Sequence, residues 1–236
     1  NSLPLLLFGP FFVYYLLVGG NLARLNALTD WPLPLAAVWL LGGQLAAVFL
    51  AWLLPPGRAV ALGAFALLMM AVNPPFFNAG FAAIFLLIGQ ICAGLLLTTA
   101  CTHLARQRSE TSVGHTTWLW WGSMILFVVL IFLYYITYDM RLPISREIVL
   151  YLTVVGMGAG LFFAVDRWAV LPSLRPSLSQ MGLSSPYGLT LALVILLALT
   201  VANWQRPPSA SIQADTVRIF DYNSYGGFNI YGTLDL

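Results

Sequence analysis

Seven long hydrophobic runs dominate the chain, and short polar stretches rich in Pro, Gly and Arg separate them. Because a helix needs about 20 predominantly apolar residues to cross a bilayer, each run predicts a transmembrane helix. The predicted spans cover approximately residues 3–18, 34–54, 59–72, 79–104, 118–138, 148–165 and 187–204. The pattern thus predicts an all-α polytopic membrane protein with about seven transmembrane helices, in which residues 1–204 form the helical bundle.

Particular residues refine these spans. Pro10 is expected to kink the first span, since proline inside a helix removes a backbone donor. The fifth span has three tryptophans at one end and three tyrosines at the other, an arrangement typical of aromatic belts at both membrane interfaces. The sixth span contains Gly156, Gly158 and Gly160, small residues that allow another helix to approach closely.

The overall composition agrees with a lipid environment. Sixty per cent of the 236 residues are hydrophobic and 8% are charged, whereas soluble domains carry about 25% charged residues. The net charge of +2, without a basic stripe, argues against nucleic acid as a partner. Membrane lipids are the partners that this composition predicts.

The distribution of arginine does not fix the orientation in the membrane. Positive residues are normally in excess on the cytoplasmic side. Seven spans place five arginines on each side, namely Arg58, Arg106, Arg108, Arg167 and Arg175 against Arg24, Arg141, Arg146, Arg206 and Arg218. The sequence predicts a multi-pass integral membrane protein of undetermined orientation.

Polar side chains within the spans are few. None of the seven spans holds a charge near its centre, which argues against a proton pump or an ion-coupled transporter with a carboxylate relay. Gln44 and Gln90 are the deepest polar side chains, and one interhelical hydrogen bond each is the favoured interpretation. The alternative is that they hold a lipid or pigment.

Two further groups of polar residues flank the spans. His103 and His115 lie on either side of one loop, without the carboxylates or cysteines that would complete a metal site. The connection between the fifth and sixth spans is crowded with charge, in Asp139, Arg141, Arg146 and Glu147. A solvated ion-pair cluster is the favoured interpretation, and a lipid-headgroup site is the alternative, because arginine grips phosphate with two hydrogen bonds.

The sequence changes character after the last span. Residues 205–215 form a Pro-rich linker, and residues 216–236 form a polar tail in which positions 216–222 alternate in the manner of a strand. Because a lone strand has no partner to pair with, a second domain is expected to begin here. At the other end the first residue is Asn1 rather than Met, so the native start is expected upstream.

The tail sequence VRIFDYNSYGGFNIYGTLDL resembles the opening of the endonuclease/exonuclease/phosphatase superfamily. Some members of that superfamily carry the catalytic domain behind a multi-spanning membrane region. The resemblance implies that Asn223 is catalytic and helps to hold a divalent metal such as Mg²⁺ and the scissile phosphate. The other metal-binding and catalytic residues of the family would lie beyond Leu236, so no complete active site is expected within this sequence.

These observations leave two main functional hypotheses. The first is the membrane domain of a membrane-anchored phosphodiesterase or phosphatase-like protein that acts on lipid headgroups. The second is a non-catalytic accessory subunit of a larger membrane complex, which would contribute packing surface and contacts to lipid, pigment or other membrane subunits. A small-molecule transporter is the least favoured alternative, since no internal repeat and no buried charge are evident.

Overall fold

The structure is a computed structural model that describes residues 2–54, 57–72, 79–106, 113–139, 144–162 and 186–202. These residues are almost entirely helical, and within these ranges there is no β-strand. The helices are α1 (Phe8–Tyr14), α2 (Leu22–Thr29), α3 (Leu33–Leu53), α4 (Arg58–Ala71), α5 (Ala79–Arg106), α6 (Val113–Asp139), α7 (Arg146–Phe162) and α8 (Pro186–Ala202). The linker 205–215 and the strand predicted in the tail 216–236 lie outside the described residues.

Four helical segments are long and apolar enough to cross a membrane: Leu3–Thr29, Leu33–Ala51, Gly80–Ala105 and Val113–Thr137. The prediction of long membrane helices is therefore confirmed for four segments rather than seven. Among the rest, α4 has 14 residues, and α7 and α8 have 17 each. At 1.5 Å per residue, 14 residues span about 21 Å, which is less than a hydrocarbon core of about 30 Å.

The first segment changes helix type along its length. It begins with a 3₁₀ turn over Leu3–Leu7, continues as α1, and widens into a π-helical turn over Tyr15–Gly19. The predicted kink at Pro10 takes a different form, because Pro10 lies in the first turn of α1, directly after the 3₁₀ turn. The Leu6 carbonyl, which would accept from an N–H at position 10, accepts from the Ser123 hydroxyl instead, so the proline is tolerated there.

The N-terminal segment lies at the centre of the bundle. Its 3₁₀ turn and α1 pack against α5, α6 and α7, while α5 also packs against α3 and α4 on its other sides. The core formed there includes Leu7, Val13, Tyr14 and Val18, each at most 1% exposed. In contrast, only 11% of the apolar window of α6 is buried inside the protein, so most of that helix faces outward.

The glycines of α7 allow the close approach that the sequence predicts. Methyl groups at Gly156 and Gly160 would meet the Pro10 ring and the Leu6–Leu7 backbone, while one at Gly158 would meet the Phe65 ring. Gly156 and Gly160 are four residues apart and therefore share one face of the helix. The glycines thus seat α7 against the N-terminal segment on one side and α4 on the other.

Candidate functional site

The end of the first segment is shaped to receive a glutamine side chain. After the π-helical turn the chain breaks at Gly20, so the carbonyl of Gly19 is one of the last carbonyls of the helix and lacks a helical donor. The side-chain Nε2 of Gln90, on α5, donates a hydrogen bond to this carbonyl. The interhelical hydrogen bond predicted for Gln90 is therefore confirmed.

Gln44 makes the second such bond. Its Nε2 donates to the hydroxyl oxygen of Tyr15 at 2.6 Å, which joins α3 to the π-helical turn. The interpretation of Gln44 as an interhelical hydrogen-bonding residue is likewise confirmed. The sequence supplied no signal for its partner, because a tyrosine in an apolar run reads as an ordinary membrane residue.

A cavity of about 160 Å³ lies between the π-helical turn, α3 and α5. Its polar lining residues are Tyr14, Tyr15, Gln44, Gln90 and Thr98, and the other lining residues are apolar or glycine. The deep residues Tyr14 and Gln90 are 1% and 6% exposed, whereas Tyr15 is 41% exposed. The cavity therefore leads from a partly exposed rim to a buried floor.

Two polar atoms of the floor residues remain unpaired. The hydroxyl of Tyr14 and the Oε1 of Gln90 are buried and find no hydrogen-bond partner among the described residues. Each lies in a place that a side chain would otherwise fill, since a methyl on Gly89 would collide with the Tyr14 hydroxyl and one on Gly43 with Gln90 Oε1. Glycines on α3 and α5 thus make room for polar atoms in an otherwise apolar interface.

A second polar region surrounds Arg24 on α2. Asn21 caps this helix by accepting a hydrogen bond from the Arg24 backbone N–H at 2.9 Å, which fixes the residue in the first turn. The Arg24 side chain is partly exposed, but its Nε is buried and has no acceptor in the part of the chain that the structure describes. Arg24 lies within electrostatic range of Tyr134, Arg146 and Glu147.

The predicted charge cluster between the fifth and sixth spans is present in part. Arg146 Nε lies 3.4 Å from a carboxylate oxygen of Glu147, and both side chains are about one-third exposed. This partly solvated ion pair agrees with the favoured interpretation for these two residues. Arg141 and the side chain of Asp139 lie outside what the structure describes. Sequence reasoning did not connect Arg24 to this cluster, because 122 positions separate it from Arg146.

The remaining candidate residues are His103, His115 and Asn223. His103 is buried on α5 and His115 is exposed on α6. Within the described ranges, no group of three or more His, Cys, Asp or Glu residues could hold a metal ion. Asn223, the residue that the superfamily resemblance marks as catalytic, lies outside the described residues, so the structure does not relate it to either region.

The length and hydropathy of the helices indicate the class of protein. The described part of the chain is a helical bundle with four helices of membrane-spanning length and hydropathy. Comparison with protein-family models, with curated proteins and with solved structures returned no match.

Proposed function

We propose that the chain is the membrane domain of a membrane-anchored phosphodiesterase or phosphatase-like protein that acts on lipid headgroups. In this proposal the three shorter helices α4, α7 and α8 also cross the membrane, which gives seven spans. The polar tail leads into the catalytic domain, and Asn223 is its first catalytic residue. The superfamily resemblance of the tail supports hydrolysis of a phosphate ester, and the apolar helices of the bundle support a location in the membrane.

The observation that carries the proposal is the Nε of Arg24, which is buried and has no acceptor among the described residues. An arginine within a membrane-length apolar segment is costly unless an acceptor pairs with it. Among the described charges around Arg24, Arg146 is positive and Glu147 is negative, so these three side chains together carry a net charge of +1. A phosphate group is the ligand that matches arginine best, because its oxygens accept two parallel hydrogen bonds.

The metal that the resemblance implies belongs to the proposed catalytic domain. A divalent cation such as Mg²⁺ would neutralise charge on the scissile phosphate there. Its proposed ligand Asn223 is not among the described residues. The bundle has the simpler task of holding the phospholipid by its phosphate at the end where Arg24 lies.

The proposal is tested with the intact protein in phospholipid vesicles containing Mg²⁺, by measuring release of the water-soluble headgroup. Asn223→Ala should lower the rate by roughly 10²-fold or more, as loss of an amide that contacts reacting oxygens does elsewhere. Arg24→Gln should weaken retention of an anionic phospholipid about tenfold or more, since a charged hydrogen bond contributes about 1.5–3 kcal/mol. Arg58→Gln, at an exposed arginine that begins α4, is the matched control and should change neither.

The accessory-subunit hypothesis is the second candidate. It is favoured by α8, whose described side chains are largely exposed and which packs mainly on α3, and by the outward-facing α6. Absence of headgroup release by the intact protein, together with co-purifying membrane subunits in native mass spectrometry, would replace the enzyme proposal with this one.

A further inference from the structure

The cavity between the π-helical turn, α3 and α5 has a chemistry different from that of the Arg24 region. None of the described residues that line it is charged. Its rim residues Tyr15 and Gln44 belong to two membrane-length segments, Leu3–Thr29 and Leu33–Ala51. Where such segments cross a bilayer, the surroundings of their lipid-facing side chains are acyl chains rather than water. A molecule that enters the cavity therefore comes from the membrane and carries no charge into it.

The floor residues of the cavity include an unpaired acceptor, the Oε1 of Gln90, as well as the unpaired hydroxyl of Tyr14. Gln90 is 6% exposed, and its amide nitrogen is already engaged by the Gly19 carbonyl. Its Oε1 is buried without a partner in the described structure and can only accept a hydrogen bond. A buried acceptor in apolar surroundings is unfavourable until a donor reaches it.

The size of the cavity limits what enters. A cavity of about 160 Å³ is close to the roughly 150 Å³ of an engineered apolar cavity that holds benzene. It therefore accommodates a polar end with a few carbons, while longer chains must extend past the rim into the bilayer. Tyr15, which is 41% exposed, can hydrogen-bond a second polar atom of the same molecule at the rim.

We propose that this cavity binds the free hydroxyl end of a neutral lipid alcohol. The hydroxyl donates to Gln90 Oε1, its first carbons fill the apolar walls, and the acyl chains remain in the membrane. The inference stands on the cavity alone, so it holds whether or not the tail begins a catalytic domain. The uncharged lining also distinguishes the cavity from the Arg24 region, where positive charge favours a phosphate.

The test measures binding of dioctanoylglycerol to the purified chain in detergent micelles, by native mass spectrometry and by titration calorimetry. The comparison ligand is the same molecule with its hydroxyl acetylated, which keeps the chains and removes the donor. The unmodified chain should bind the alcohol about tenfold more tightly than the acetate. The corresponding phosphate ester, phosphatidic acid, should gain nothing from Gln90.

Three variants locate the interaction. Gln90→Met keeps the volume but removes the acceptor, so the preference for alcohol over acetate should disappear. Val48→Phe fills the cavity from a half-buried lining position and should abolish binding of both ligands. Thr99→Val is the control, because it removes a buried hydroxyl from α5 that bonds its own helix and does not line the cavity. It should leave both affinities unchanged.

Two results would overturn the inference. Equal affinity of the unmodified chain for alcohol and acetate would show that only chain partition is being measured. Binding that is retained in the Val48→Phe variant would mean that the lipid binds at another place on the protein and not in the cavity. If Gln90→Met fails to fold, the ligand pair and the Val48→Phe variant still decide the question. Loss of headgroup hydrolysis would not bear on it, since these measurements use no catalytic readout.

Discussion

Gly160 on α7 lies directly against the backbone of Leu7, and a methyl group placed on Gly160 would come within 2.7 Å of the Leu7 nitrogen. Both positions belong to the interface between α7 and the central N-terminal segment, and Leu7 is fully buried. In lipid, such close backbone approach supplies much of the packing energy that joins helices, because apolar side chains gain little by leaving acyl chains.

Gly160→Ala is therefore expected to destabilise the bundle. The methyl group has backbone rather than a flexible side chain as its neighbour, so relief requires a shift of α7, at a cost of about 1–3 kcal/mol. Thermal unfolding in detergent micelles measures the effect. Gly63→Ala on α4 is the matched control, since nothing lies within 4 Å of the added methyl. It should leave the stability unchanged or raise it by up to about 1 kcal/mol. Equal losses in the two variants would contradict the role given to Gly160.

Ser123→Ala should also lower stability, for a reason that begins with Pro10. Proline has no N–H, so the Leu6 carbonyl four residues earlier has no helical donor. The Ser123 hydroxyl, on α6, accepts from the Gly9 N–H at 2.6 Å and donates to the Leu6 carbonyl at 3.4 Å. The variant leaves both backbone groups without their partner in a buried interface, which is expected to cost about 1–3 kcal/mol.

The control for this variant is Thr117→Val on the same helix. The Thr117 hydroxyl is exposed and bonds the Val113 carbonyl within its own turn. Its removal should change the free energy of unfolding by less than about 0.5 kcal/mol. An equal effect of the two substitutions, measured by the same unfolding assay, would mean that Ser123 does not support the proline-containing turn.

Glu147 gives the bundle a pH-dependent contact at its polar end. Partial burial favours the protonated form, but hydrogen bonds from the Glu147 backbone, the Ser145 hydroxyl and Arg146 outweigh it and hold the pKa of Glu147 below 4.5. A depressed folded-state pKa means that the stabilisation is present above about pH 4.5 and is lost as the pH falls through the folded value. Because the pair is about one-third exposed, solvent screening limits its contribution to less than about 1 kcal/mol.

The expected result is a small stability difference between the unmodified chain and Glu147→Gln that is present at pH 7 and shrinks as the pH falls below 4.5. Thermal unfolding at a series of pH values, in a non-ionic detergent, measures it. A difference that stays constant over the whole pH series would assign the effect of the substitution to packing rather than to the charge of Glu147.

The sequence predicted the helices better than their arrangement. Long apolar runs predicted α5 and α6 to within a few residues, because continuous hydropathy reports directly on the ability to occupy lipid. It did not predict that Leu3–Thr29 is central, with half of its apolar window buried, or that α6 is outward-facing. An interior surface and a lipid-facing surface are both apolar, so hydropathy does not distinguish them.

The candidate site shows the same limit. Gln44 and Gln90 stood out as polar positions in apolar helices, and both make the predicted hydrogen bonds. Their partners are a tyrosine and a backbone carbonyl that becomes available only where the π-helical turn ends. The predicted spans 3–18 and 34–54 left Arg24 in the connection between them. The structure starts α2 at Leu22 and brings Arg24 close to α7, a tertiary relationship that no local pattern contains.

The central position of the N-terminal segment has a consequence for biosynthesis. Its hydrogen bonds to α6, such as that between Gly9 and Ser123, join residues 114 positions apart. At about 5–20 residues per second, the ribosome makes the first partner roughly 6–23 s before the second. During that interval the segment stays in the translocon or in lipid, and its Gly9 N–H and Leu6 carbonyl have not yet met their partner Ser123. The Leu3–Thr29 segment is thus made well before the helices that enclose it, and factors that protect a nascent helix should affect the yield of the protein more than its final stability.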